Sequence, residues 1–331
     1  MDLTEDHIRP HRFDAGKEAA LEADLAWLRE RRSEFINVPC PACLRTRRAP
    51  AFEKFGFSFV SCLDCRTVYM APRAPAHLLG EFYSRSVLYE FWNEFIFPAS
   101  RGARKERLFR PRVQRIADLC ARLGIATDLL IEVGAAHGMF CEEVKSAGIF
   151  NRVVAIEPGR ALAETCRRVG IETFELPVER LMGVTAANVV ASFETIEHLF
   201  SPRDFVTQCR EILLEGGLLV MTCPNYEGFD IQTLGVMSES LDAEHINLFN
   251  PDSISRMLEE CRFEVLELTT PGQLDAELVR TQILDGRFDI SGREFLKLML
   301  VDRWEEVGPA FQAFLRDNKL SSHMWVVARR L

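Results

Sequence analysis

The sequence predicts an α/β protein: a mostly parallel sheet with helices on both faces, preceded by a small four-cysteine ribbon and a helical segment. Three observations carry this. From Asp128 onward, short apolar runs alternate with amphipathic stretches of helical length. Ahead of them, two Cys-x-x-Cys pairs stand in one compact segment. Between the two regions lies a stretch of helical spacing with a cluster of aromatic residues.

The first element is a helix expected within 14–35, where Leu21, Leu25 and Leu28 recur at helical spacing among Ala, Glu and Arg. The chain changes character at Val38-Pro39-Cys40-Pro41, and the cysteine segment runs to about Pro72. Residues 76–125 read as helical and hold Phe82, Tyr83, Tyr89, Phe91, Trp92, Phe95 and Phe97. Strands are expected at 129–133, 153–156, 171–174, 189–192 and 218–222, with helices at 139–147, 161–169 and 205–214. Two further strands, 263–268 and 324–328, flank a mostly helical stretch. The expected organisation is a helix over 1–36, a ribbon over 37–75, a helical lid or linker over 76–125, and a catalytic domain over 126–331. That last domain carries a helical insertion at about 275–320.

A chain of 331 residues, 47% hydrophobic and 27% charged, suits a globular α/β domain with an appendage. Its net charge of −9 argues against a surface that tracks a polyanion. No apolar run approaches the roughly 18 residues a membrane helix needs. The acidic start, Met1 to Asp6, lacks the basic and apolar blocks of a signal peptide. Reduced thiols and a cytoplasmic location are therefore expected of its 10 cysteines. The one strongly basic run, Arg101 to Arg112, reads as a solvated helix face rather than an anion site.

Cys40-Pro41-Ala42-Cys43 and Cys62-Leu63-Asp64-Cys65 have the spacing of two metal knuckles. Four thiolates supply a closed tetrahedral shell, so Cys40, Cys43, Cys62 and Cys65 are expected to hold a structural Zn2+. A redox role lacks the strand–helix context it would need. The other six cysteines stand singly and read as core residues.

Leu130-Ile131-Glu132-Val133-Gly134-Ala135-Ala136-His137-Gly138 runs from a strand through a glycine turn into a helix. At the carboxyl edge of an open α/β sheet such a turn faces the ligand crevice. The spacing of Gly134 and Gly138 does not fit the dinucleotide fingerprint. Glu157 closes the next strand, where a carboxylate can accept the hydroxyls of a ribose; the plainer alternative is a structural turn with a capping acid.

Glu132-x-Gly134-x-x-x-Gly138 resembles the first motif of class I S-adenosylmethionine-dependent methyltransferases, with Ala136 in place of the middle glycine. Ser192-Phe193-Glu194-Thr195-Ile196-Glu197-His198-Leu199 is similar to the fourth-strand motif of the group containing the ubiquinone-pathway O-methyltransferases. Leu214 to Asn225 is similar to the turn, fifth strand and Pro-Asn that follow in that group. Small-molecule methyltransferases with an amino-terminal four-cysteine knuckle, sugar C-methyltransferases among them, form a wider set that this chain also resembles. The resemblance implies a Rossmann-like seven-stranded sheet whose last strand is antiparallel. It further implies S-adenosylmethionine as cofactor. Glu132 and the Gly134–Gly138 backbone, Ala136 included, would hold the methionine end, Glu157 the ribose, and the Val178 backbone the adenine. Phe193 would face the methyl-bearing side, with Glu194 beside it in the cofactor-binding set.

On the acceptor side, His198 and His245 are candidate bases, each with the alternative of a helix cap or core residue. Tyr226 is a third catalytic candidate, and Asn247 stands near enough in sequence to help orient an acceptor. Tyr89 and Trp92 read as a lid or as interdomain core. The expected activity is methylation of a small molecule, at oxygen first, with a sugar or secondary-metabolite intermediate as acceptor. The alternative is an RNA-binding methyltransferase or adaptor that uses the ribbon as its nucleic-acid module, which the acidic balance disfavours. The helical insertion either caps the site or forms a homodimer contact.

Overall fold

A computed structural model describes residues 5–178, 180–181 and 186–331; Met1 to Thr4 of the acidic start and Glu179 lie outside them. After the helix Asp14–Glu30, three strands form an antiparallel meander: β1 (Arg48–Lys54), β2 (Phe57–Cys62) and β3 (Val68–Met70). The helices Ala76–Arg85 and Val87–Phe91 follow, then Phe97–Arg104 and Arg110–Leu123, with π-helical turns at Trp92–Ile96 and Lys105–Phe109. Beyond them come β4 (Leu129–Val133), β5 (Arg152–Ile156), β6 (Glu172–Phe174), β7 (Ala187–Phe193) and β8 (Leu213–Pro224). The chain ends with β9 (Asn247–Leu248), β10 (Phe263–Thr269) and β11 (His323–Arg330).

Seven strands make one sheet in the order β10-β11-β8-β7-β4-β5-β6, with β11 antiparallel to both neighbours. β4 pairs in parallel with β5 and β7, so helices leave it toward opposite faces and open a crevice at its carboxyl end. Every residue of β4 and β7 is buried, as both faces are covered. Alternate side chains serve different cores. Ile131, Val133 and Val190 pack with Phe205, Ile254 and Met257, whereas Leu130, Val189 and Val220 pack with Ile116 and Phe140.

A second, four-stranded sheet has the order β1-β2-β3-β9. Its last strand comes from far along the chain: Val68 pairs with Leu248 and Tyr69 with Asn247. Its core joins Leu25, Trp27 and Leu28 of the first helix to Phe57 and Phe59 and to Ile231, Ile246 and Leu248. The three-stranded meander has too little apolar area to close a core alone, so the first helix and residues 231–248 complete it. The insertion packs helices Asp275–Leu284 and Trp304–Asp317 around Val279, Leu300 and Leu315.

Candidate active site

The crevice beyond β4 opens into a cavity of about 2600 Å³. That exceeds the roughly 300–1,000 Å³ of a single small-ligand pocket and leaves room for two molecules. Gly134, Ala136 and Gly138 take left-handed φ values of +80°, +47° and +67°. A Cβ on Gly134 would stand 2.6 Å from Thr195 Oγ1, and one on Gly138 2.9 Å from Cys166 Sγ. The loop is therefore pressed between the end of β7 and the helix Arg160–Arg168, while Ala136 keeps the required backbone shape without glycine. The Ala136 and Gly159 N–H groups each donate to Glu157 at 2.8 Å, one to each carboxyl oxygen. Burial pushes Glu157 up to about 7 against the pull of those two bonds. Burial likewise pushes Glu132 up to about 8, although Cys141 donates to it at 3.1 Å. Val178 is buried and lines the same cavity.

Phe193 packs edge-on against Phe140, ring centroids 4.8 Å apart, and the Arg112 guanidinium lies 4.5 Å from its ring centre. Arg112 faces the cavity, where burial lowers its pKa against the attraction of Glu194 and Glu132. The basic run is thus not one solvated face. Arg101 and Lys105 pair with Glu142, Lys105 and Arg110 with Glu143, and Arg104 and Arg112 turn inward. Arg104, Leu108 and Arg112 stand four apart and share one helical face. That spacing was the signal available in the sequence; a count of basic residues hid it.

The opposite wall holds the acceptor-side candidates. His198 ends the short turn Ile196–His198, and its ring meets that of His245 edge-on at 4.7 Å. His245 Nδ1 lies 2.8 Å from the Ser240 carbonyl. A carbonyl only accepts, so the ring hydrogen sits on Nδ1 and Nε2 keeps its lone pair. His198 Nδ1 is 3.3 Å from the Tyr83 hydroxyl. Burial lowers both imidazoles below the usual histidine range, His198 furthest. Glu197 is fully buried, and among the described residues neither carboxyl oxygen has a hydrogen-bond partner. Burial first, and then the charge of Glu194, hold it well above the usual carboxylate range. Donor atoms of Glu197, His198 and His245 lie within 4.8 Å of one another, close enough to share a proton or to hold a divalent cation.

Glu194 accepts from Thr222 Oγ1 at 2.6 Å and pairs with His323 Nε2 at 3.2 Å. Burial would raise it, yet His323, Arg112 and the Thr222 bond keep it well below its ordinary value. His323 was not singled out in the sequence, because it enters only through the antiparallel register that sets it opposite Pro224. Tyr83, Tyr89 and Trp92 all line the cavity, and Tyr83 meets Tyr89 edge-on at 5.7 Å.

Two expectations need correction. Tyr226 is not among the cavity-lining residues: its ring stacks against Phe52 at 6.5 Å, and its N–H donates to the Phe249 carbonyl at 2.7 Å. The Asn225 amide, bonded to the Lys319 and Ser321 carbonyls, holds the turn that carries Tyr226. Asn247 is fully buried with its side chain bonded to protein, so it cannot orient an acceptor directly.

The four paired cysteines converge as well. Sγ atoms of Cys40 and Cys65 are 3.5 Å apart, those of Cys43 and Cys62 3.6 Å, and all four lie within 4.8 Å. A tetrahedron with metal–sulfur bonds of about 2.3 Å has edges of about 3.8 Å, so one ion fits. The two knuckles repeat each other's backbone. Leu44 N–H donates to Cys40 O and Arg66 N–H to Cys62 O, both at 2.9 Å, with Leu44 and Arg66 at φ +59° and +62°. The hydrogen bond from Cys40 helps hold the Cys65 thiol below its ordinary range.

Residues 103–268 match the family model described as a methyltransferase domain. A Mycolicibacterium smegmatis protein named a probable S-adenosylmethionine-dependent methyltransferase is 27% identical over 156 residues, which is 46% of this chain and 56% of that protein. The chain thus spans little more than half the length of that curated relative. Among solved structures, an S-adenosylmethionine-dependent methyltransferase from Clostridium acetobutylicum aligns over 72% of this chain and 98% of its own, with 9% identity and a TM-score of 0.48. The 1,6-didemethyltoxoflavin-N1-methyltransferase of Burkholderia thailandensis, solved with 1,6-didemethyltoxoflavin and S-adenosylhomocysteine, aligns over 85% and 98%, with 12% identity and a TM-score of 0.47.

Proposed function

The chain belongs to the methyltransferase-domain family, and on that premise we propose that it transfers a methyl group from S-adenosylmethionine to a hydroxyl of a small-molecule acceptor. The observation that carries this reading is His245: its Nδ1–H is committed to Ser240, which leaves Nε2 to take the acceptor's proton. Glu132 and the Gly134–Gly138 backbone hold the amino-acid end of the cofactor and Glu157 its ribose, with Arg112 near enough to take its carboxylate. When bound, S-adenosylmethionine supplies a sulfonium-activated methyl carbon. The protein orients the acceptor oxygen, receives its proton, and shields the site with Tyr83, Tyr89 and Trp92. The four cysteines hold one structural zinc, a closed shell with no open position for chemistry. The decisive experiment follows labelled methyl from S-adenosylmethionine into fractions of metabolite extracts and identifies the labelled atom by NMR. A methylated carbon or nitrogen would overturn the oxygen assignment.

Glu157→Ala should weaken S-adenosylmethionine binding by about 1.5–3 kcal/mol, roughly 10–150-fold, the range for hydrogen bonds to a charged group. Calorimetry against pH gives a second check. Burial places the Glu157 carboxyl near 7 in the free protein. Binding of hydroxyls favours its ionised form, so wild-type affinity should fall as pH drops through that value. The advantage over Glu157→Gln should be widest in alkaline buffer and shrink in acid. Equal affinities at all pH values would remove the ribose assignment.

Arg112→Gln should weaken S-adenosylmethionine by a similar factor. Methylthioadenosine, which lacks the amino-acid end, should bind both forms alike. A parallel loss for both ligands would show instead that Arg112 only supports the Phe193 ring.

A further inference from the structure

We propose that Arg73 and Asn247 form a positioning pair that sets the Ile196–Leu199 backbone against His245, so that the four-cysteine sheet governs the acceptor half of the site. The inference rests on the reading of His245 as the acceptor-side base. Asn247 is fully buried. Its Nδ2 lies 2.7 Å from the Leu199 carbonyl, 3.2 Å from that of Glu197 and 3.4 Å from that of Ile196. Its Oδ1 accepts from Arg73 Nη1 at 2.7 Å, while Arg73 Nη2 donates to the Phe200 carbonyl at 2.6 Å. The Arg73 guanidinium also lies 5.0 Å from the Phe200 ring centre. Two side chains therefore hold the backbone around His198 at four of the five carbonyls from Ile196 to Phe200, all but that of His198 itself.

Both side chains are placed by the small sheet. Asn247 pairs with Tyr69 in β3 and stands two residues after His245, while Met70 N–H donates to the Ile246 carbonyl at 3.0 Å. Arg73 stands three residues beyond the end of β3, and its backbone pairs with Ile36 in both directions. Asn250, in the same segment, donates to the Cys65 carbonyl at 3.2 Å. A continuous hydrogen-bonded path thus runs from the cysteine knuckle through β3 and β9 to His245 and, through the Asn247 amide, to His198. Among the described residues, neither side chain of the pair hydrogen-bonds to the glycine loop or to Glu157. Buried carbonyls that lose their donor carry a desolvation penalty unless they move, so loss of the pair shifts the His198 turn relative to His245.

The test uses the full metal-loaded chain. Asn247→Asp keeps the side chain's size and its contact with Arg73 but turns an acceptor toward the three carbonyls. Arg73→Lys keeps a charge but loses the fork, and it answers the same question should Asn247→Asp fail to fold. The imidazole NMR signals of His198 and His245, assigned with His198→Gln and His245→Gln, should shift in both variants and titrate at altered pH. S-adenosylmethionine affinity should stay within about twofold, while kcat for labelled methyl transfer into the extract fraction falls roughly 10²-fold, the scale of an ångström's misplacement. Unchanged imidazole signals in a folded variant overturn the proposal, as does cofactor affinity falling in step with kcat. A wild-type protein that transfers no methyl group would remove the acceptor reading, and the imidazole signals would still decide the fate of the pair.

Discussion

His245→Ala should lower turnover by about 10²–10⁴-fold, the usual worth of a positioned general base, with S-adenosylmethionine affinity close to wild type. The expectation follows from tautomer and burial together. Ser240 fixes the hydrogen on Nδ1, so the neutral ring presents a lone pair at Nε2. Burial disfavours the charged ring and lowers its pKa. A base works only when neutral, and a lowered pKa keeps it neutral further into acid. Turnover should therefore hold below the ordinary histidine value of about 6.5 before it declines. His245→Gln keeps a hydrogen bond but cannot take a proton in this range, so it should not restore the rate. His198→Ala should cost less, because His198 also serves as partner to Tyr83. Full turnover with a flat pH profile in both alanine variants would point to an acceptor that needs no base, such as a carbon or an already ionised nucleophile.

Metal analysis of carefully reduced protein should find about one zinc per chain, and Cys62→Ser should abolish it. Structural zinc in finger peptides contributes on the order of 10–16 kcal/mol, so the loss should be large. It should also spread. Cys40, Cys43, Cys62 and Cys65 pack in the same core as Phe205, Ile254 and Met257, and the sheet to which Cys62 belongs ends in β9. The variant should unfold at markedly lower temperature and lose acceptor turnover. The glycine loop lies on the other side of β7 from β8, and should keep more of its affinity for S-adenosylmethionine. Zinc-free wild-type protein of full thermal stability would falsify the assignment.

The catalytic sheet was legible because its strands are buried on both faces and read as short apolar runs between amphipathic helices. Leu129–Val133 is such a run. The paired cysteines were legible because a Cys-x-x-Cys spacing is a local signal, and the two pairs do converge in the fold. β9 was not: two residues have no periodicity, and Asn247–Leu248 becomes a strand only through β3. Arg112 was misread because net charge along a run says nothing about which helical face turns inward. Tyr226 and Asn247 show the same limit for short polar segments, where neighbours in sequence diverge in space as soon as a buried amide captures a distant carbonyl. The Glu194–His323 pair needed a register that only the folded sheet supplies.

The pairing of Val68 with Leu248 also sets an order of events during synthesis. At the roughly 5–20 residues per second of translation, some 180 residues must follow Val68 before its partner exists, a wait on the order of 10–40 s. Until then β3 presents an unpaired edge, the kind of edge that recruits strands from other chains. A metal ion captured by the two knuckles would brace the nascent hairpin through that interval. Expression in zinc-poor medium should therefore cost soluble yield, by exposing a half-built sheet on the ribosome, before it affects any property of protein already folded.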